Sequence, residues 1–228
     1  MNNEPILIKS LDIVILGNFN PSIFQPYWFS LKKLIREEES EKAAINVIHN
    51  SLVQFDLDWC SFTVTEDRFQ VSTTDEVNFD LVKDLVVSVF NILCETPLSA
   101  LGVNYTYNFS LENNKNYDEF GEWLSNLTFW QKIDSEYKLL TLETFKPKKE
   151  NGELGTQKIR ITPTNLPRLK FGISVNFNEH IQFKNNPEVL SNSNNLMNLF
   201  EQKWKSYNID TKEIVLKIWN TFKSTQKR

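Results

Sequence analysis

The sequence predicts an α+β protein: one domain over residues 1–228, built as a curved antiparallel sheet with helices on one face. Two observations carry most of this. Residues 101–111 read Leu101-Gly102-Val103-Asn104-Tyr105-Thr106-Tyr107-Asn108-Phe109-Ser110-Leu111, apolar at every odd position and Gly, Asn, Thr or Ser at every even one. Side chains alternate faces along a strand, so this stretch has one side for a core and one for water. The same parity returns at Leu169, Phe171, Ile173, Val175 and Phe177 and runs on through Ile181 and Phe183. One-sided strands of this length belong to antiparallel sheets, whose second face can stay open. Phe171, Ile173 and Val175 are therefore expected to be buried together.

The elements follow in order. Residues 6–16 read as a strand. Asn20-Pro21 opens a helical segment, Asn as cap and Pro preset for the first turn, with regular helix from Pro26 to about residue 35. The charged run Arg36-Glu37-Glu38-Glu39-Ser40-Glu41-Lys42 reads as a solvated helix end or linker. A second strand is expected over 45–57, then a hairpin: Cys60, Phe62 and Val64 share a face, Glu66-Asp67 turns, and Phe69 and Val71 return. Asn78 is placed to cap a helix whose Leu81, Val82, Leu85, Val86, Val89, Phe90 and Leu93 follow the i, i+3, i+4 spacing, and Pro97 ends it.

The second half repeats this order. The strand at 101–111 is followed by a short amphipathic helix carrying Tyr117, Phe120, Trp123, Leu124 and Leu127, then by strands over 137–145, 158–162 and 169–183. A helix over 192–207 presents Leu196, Leu199, Phe200 and Trp204 on one side. Asp210-Thr211-Lys212-Glu213 then reads as a capping box that opens a separate last helix, with Ile214, Val215, Ile218, Trp219 and Phe222 inward. Two pseudo-symmetric halves result, about 1–97 and 98–228, each strand, helix, three strands, helix, with one helix added at the end. Residues 146–155, charged and carrying Pro147 and two glycines, form an exposed hairpin tip.

Composition narrows the function. Hydrophobic residues at 40% and charged residues at 24% fit a globular chain and exclude wholesale disorder. With 17 Phe, 6 Trp and 6 Tyr, the core is heavily aromatic. Only 6 glycines are present, and no GxGxxG, GxxxxGK[ST], HExxH or CxxC motif occurs, so no phosphate cradle, cofactor site or metal site is assigned. His49 and His180 are the only histidines, too few for zinc without other donors, and both read as structural or surface groups. Cys60 and Cys94 read as two reduced thiols. The apolar run 6–16 is interrupted by Lys9, Ser10 and Asp12 and lacks a basic leader, so it is read as neither signal peptide nor membrane span. By elimination the expected location is cytoplasmic.

Three groups of residues are candidates for contact. Tyr27, Trp28 and Trp130 are candidate partner contacts, because aromatics concentrate at interface cores. Lys146, Lys148, Lys149, Arg160 and Arg168 are candidate anion or nucleic-acid contacts, expected on adjacent strands and their connecting loops; the net charge of −4 opposes nonspecific nucleic-acid binding. Asp134, Glu136 and Lys138, with Glu143 and Lys146 beyond, have the acidic-x-Lys spacing of metal-dependent nucleases, though charges on an edge strand read the same way. The reading that joins these is a noncatalytic protein, without cofactor, whose open sheet face or an adjacent groove engages a protein partner. A nucleic-acid binder using a basic sheet face, or a metal-dependent nuclease or hydrolase, is the alternative.

The order of elements, the strand opening Leu101-Gly102-Val103-Asn104-Tyr105, and the terminal helices around Phe200-Glu201 and Trp219 resemble a family of sporadically distributed, uncharacterised bacterial proteins of similar length and strand pattern. The resemblance spans most of the chain. It implies a bacterial accessory protein from a mobile or defence-associated locus and brings no catalytic residues with it.

Overall fold

Parity decides the architecture. The computed structural model describes residue 5 and residues 7–150, 153–182 and 193–226. Its nine strands are β1 (Ile8–Gly17), β2 (Ala44–His49), β3 (Leu52–Asp56), β4 (Ser61–Thr65), β5 (Arg68–Thr73), β6 (Leu98–Ser110), β7 (Leu142–Glu150), β8 (Glu153–Thr164) and β9 (Gly172–Gln182). They form one antiparallel sheet in the order β2-β3-β4-β5-β1-β6-β9-β8-β7, not closed into a barrel. The helices are α1 (Pro26–Leu31), α2 (Glu37–Lys42), α3 (Phe79–Ile92), α4 (Asn114–Leu124), α5 (Thr128–Ile133) and α6 (Ser193–Thr225). β1 and β6 lie antiparallel at the centre. Each half adds its later strands outward from its own first strand, β5 to β2 on one side and β9 to β7 on the other.

Register aligns the buried positions into rows. Leu11, Ile13 and Ile15 stand beside Thr73, Val71 and Phe69 on β5 and beside Tyr105, Val103 and Leu101 on β6, and all are buried. The rows continue into Phe177 and Ile181 of β9. α3 and α6 contribute Val86, Phe90, Leu196, Phe200 and Trp219 to the same core. Aromatic rings dominate it: Phe55 stacks on Phe62 at 4.5 Å, Phe69 meets Phe90 edge-on at 5.1 Å, and Phe109 meets Trp219 at 5.5 Å. Such pairs add about 0.5–1.5 kcal/mol each beyond the area they bury. Polar groups enter this face in pairs, among them the Gln157 amide donating to the buried Glu179 carboxylate.

The structure corrects several boundaries. Residues 45–57 are two strands, because Asn50-Ser51 reverses the chain between β2 and β3. Asn78 makes no side-chain cap; Asp75 accepts from the Val77 amide at 3.1 Å one turn earlier. The strand expected over 137–145 begins only at Leu142, since Asp134 anchors a turn, its carboxylate accepting from Glu136 N–H and its carbonyl from Tyr137 N–H. α5 was not anticipated. Phe171 precedes β9 in a left-handed conformation (φ 51°) and is 37% exposed, so it breaks the parity that Ile173 and Val175 keep.

The largest difference is α6, one helix of 33 residues where two were expected. The Asp210-Thr211-Lys212-Glu213 signal is overridden by packing. Tyr207, Thr211 and Val215, four residues apart, form a continuous buried stripe. Thr211 Oγ1 bonds back to Tyr207 O at 2.8 Å and meets the Tyr107 hydroxyl at 2.9 Å. A new N-terminus there would break that stripe.

The two edges of the sheet differ. β7 carries Lys146, Lys148, Lys149 and Pro147, whereas β2, reading Ala-Ile-Asn-Val-Ile-His, has no Lys, Arg, Asp or Glu and leaves Ile45 and Ile48 exposed. No described helix is long and apolar enough to cross a membrane.

Candidate partner-binding site

The uncovered sheet face is polar and largely paired with itself. Asp12 sits at its middle, accepting from Gln70 Nε2 at 2.7 Å and from Asn104 Nδ2 at 3.3 Å; Asn178 Nδ2 reaches Asn104 Oδ1 at 2.7 Å. Arg68 donates to Gln70 at 2.9 Å, so the chain of bonds crosses β5, β1, β6 and β9. Burial among these neighbours raises the Asp12 carboxyl above the ordinary range, against the hydrogen bonds from Gln70 and Asn104 and the nearby Arg68 charge. His180, on the same face, is pushed down by burial and by Lys158. Arg68, Gln70, Asp12, Asn104 and Asn178 spend hydrogen bonds on one another and tie the strands together.

The basic candidates are not brought onto one surface. Arg160 lies on this face with its guanidinium held by both oxygens of Glu143 at 3.2 Å. Lys146 is in register with buried Gln157 and so lies on the opposite side of the sheet. Arg168 is exposed in the connection after β8. The side chains of Lys148 and Lys149 lie outside the described residues. Among the acidic candidates, Lys138 donates to Asp118 at 2.8 Å rather than to Asp134 or Glu136. No group of three His, Cys, Asp or Glu among the described residues is placed to hold a metal ion.

The aromatic candidates separate into two places. Tyr27, 72% exposed, and Leu31 one turn later stand out from α1, whereas Trp28 turns inward against Phe24 and Phe29 at 5.9 and 5.2 Å. Neighbours on a helix are about 100° apart, so opposite fates for Tyr27 and Trp28 are expected. Trp130 has different company. Its ring meets Phe129 at 5.4 Å and Tyr137 at 5.8 Å. With Ile133 and Leu140 these make five large apolar side chains, each between 48% and 77% exposed.

Local sequence explains how they come to the surface. Asn113 caps α4 by accepting from Asn116 N–H at 2.8 Å, and the helix lays Phe120 on the sheet against Phe109 and Phe222. Asn126 accepts from Thr128 N–H and starts α5, only six residues long and without a buried residue. The turn at Asp134 then leads residues 134–141 back beside α4. Between them lies a cavity of about 120 Å³, lined on its apolar side by Phe120, Leu124, Leu127, Ile161 and Ile173 and reached by Tyr137 and Leu140. Asp118, Glu122 and Lys138 also line it. Burial raises the Tyr117 hydroxyl, also in the lining, despite the opposing charge of Lys138.

Sequence reasoning placed Trp130 here and missed Phe129, Ile133, Tyr137 and Leu140. The adjacent aromatics in Thr128-Phe129-Trp130 were the available signal, since a helix this short cannot bury both. No protein-family model and no curated protein matches the sequence, so the argument for function rests on the chemistry of these surfaces.

Proposed function

We propose that this chain is a binding protein, noncatalytic in itself, that holds a protein partner through the apolar surface around Trp130. The observation that carries this is the cluster of Phe129, Trp130, Ile133, Tyr137 and Leu140, exposed together beside a hollow. Clustered apolar side chains on a soluble chain mark interaction surfaces, and aromatics supply most of the energy at their centres. The polar sheet face, its groups already bonded to one another, is the weaker candidate for the same task. An accessory role in a bacterial mobile or defence-associated locus, implied by the family resemblance, suits a protein of this kind.

The test is capture from host cells with the wild type, a Phe129→Ser/Trp130→Ser variant and a Tyr27→Ser variant. The substituted side chains are exposed, so all three should melt alike. A partner held by the wild type and by Tyr27→Ser but released by Phe129→Ser/Trp130→Ser is the expected result. Equal retention by all three would remove the surface from consideration.

A further inference from the structure

We infer that the cavity behind the exposed aromatics is an anchor pocket for one apolar side chain, phenylalanine-like in size, presented by a basic segment of the partner; this rests on the reading of the surface given above. Size is the first argument. An apolar cavity of roughly 150 Å³ holds a single benzene ring, and sites for drug-sized molecules start near about 300 Å³. At about 120 Å³ this cavity fits one side chain and excludes a nucleotide or a large cofactor.

Gly121 is the second argument. It sits inside α4, where glycine weakens a helix relative to alanine, and it lines the cavity. A Cβ built on it would meet Leu139 Cβ at 3.4 Å, an ordinary contact. Nothing in the backbone demands glycine at this point, and what its bareness preserves is room in the cavity.

Charge is the third. Asp118, Glu122 and Lys138 line the cavity, Asp134 and Glu136 lie on the segment that closes it, and Lys132 ends α5. Lys138 is engaged by Asp118 at 2.8 Å. Four carboxylates against two ammonium groups leave the surroundings acidic, which favours Lys or Arg beside the anchoring side chain and repels acidic segments.

Two probes of matched shape and opposite charge separate these arguments: phenethylammonium and phenylacetate, titrated at low salt and followed by tryptophan fluorescence and melting temperature. Phenethylammonium should bind at least threefold more tightly than phenylacetate, with the difference shrinking as salt is added. A ligand confined to the folded state also raises the melting temperature. Gly121→Ala and Leu127→Phe, which take up the cavity volume, should each weaken both probes at least fivefold. Failure of phenethylammonium to bind, binding of phenylacetate as tightly as phenethylammonium, or undiminished binding to both filled variants would overturn the assignment. With a captured partner the two readings part: release by Phe129→Ser/Trp130→Ser but undiminished binding by Gly121→Ala leaves the surface and removes the pocket.

Discussion

Replacing Thr211 with valine isolates one hydroxyl and asks whether α6 is truly continuous. Thr211 is fully buried and Tyr107 nearly so, and their hydroxyl oxygens are 2.9 Å apart. Valine keeps the shape of threonine and removes only the oxygen. The carbonyl of Tyr207, which Thr211 also contacts, keeps its place in the helix ladder. The Tyr107 hydroxyl is instead left buried opposite a methyl group. A stranded buried donor costs about 1–3 kcal/mol, and with a midpoint near about 2 kcal/mol a chain of this size should melt roughly 4–8 °C lower. Tyr107→Phe alone should cost about 1 kcal/mol, because Thr211 retains the Tyr207 carbonyl.

The double variant sharpens the test. With phenylalanine facing valine nothing polar is stranded, so Tyr107→Phe/Thr211→Val should cost no more than Tyr107→Phe alone, leaving a coupling of about 2 kcal/mol. Thermal and urea melts of the four proteins measure it directly. Additive losses, or a Thr211→Val change within about one degree, would refute the contact. They would also restore the alternative in which residue 211 opens a separate helix and faces water.

Two further outcomes follow from the packing. His180 is held below its ordinary value of 6.5 by burial and by Lys158. The unfolded chain therefore takes up the proton first on acidification, so the stability this group supplies is present above about pH 6.5 and is lost as pH falls through the lower folded value. Between pH 7 and 5 the wild type should lose more melting temperature than His180→Asn; parallel slopes would contradict this. Phe171, partly exposed and at positive φ, should tolerate Phe171→Gly within about 1 kcal/mol, whereas Phe109→Ala in the core should cost about 3–5 kcal/mol; comparable melting shifts for the two would show that the ends of β9 are misplaced.

What the sequence made legible was what repeats locally. The alternation in 101–111 and 173–181 gave β6 and β9, and the helical spacing of Val82, Leu85, Val86 and Val89 gave α3. The failures lie where a distant contact outvotes a local signal. Asp210-Thr211-Lys212-Glu213 has the chemistry of a helix start, but Tyr107, more than a hundred residues earlier, holds Thr211 inside a helix already under way. Lys146 and Arg160 looked alike as basic residues near one loop, and only the register of β7 against β8 shows them on opposite faces. The candidate site was legible at Trp130 alone, since the hollow exists only once residues 134–141 fold beside α4.

The unlike edges of the sheet give it a direction of growth. At β7 the next strand would meet Lys146 and, at Pro147, a residue that offers no amide proton. At β2 it would meet a backbone free to pair, flanked by Ile45 and Ile48, on a strand without lysine, arginine or proline. A tenth strand therefore meets fewer chemical obstacles at β2 than at β7.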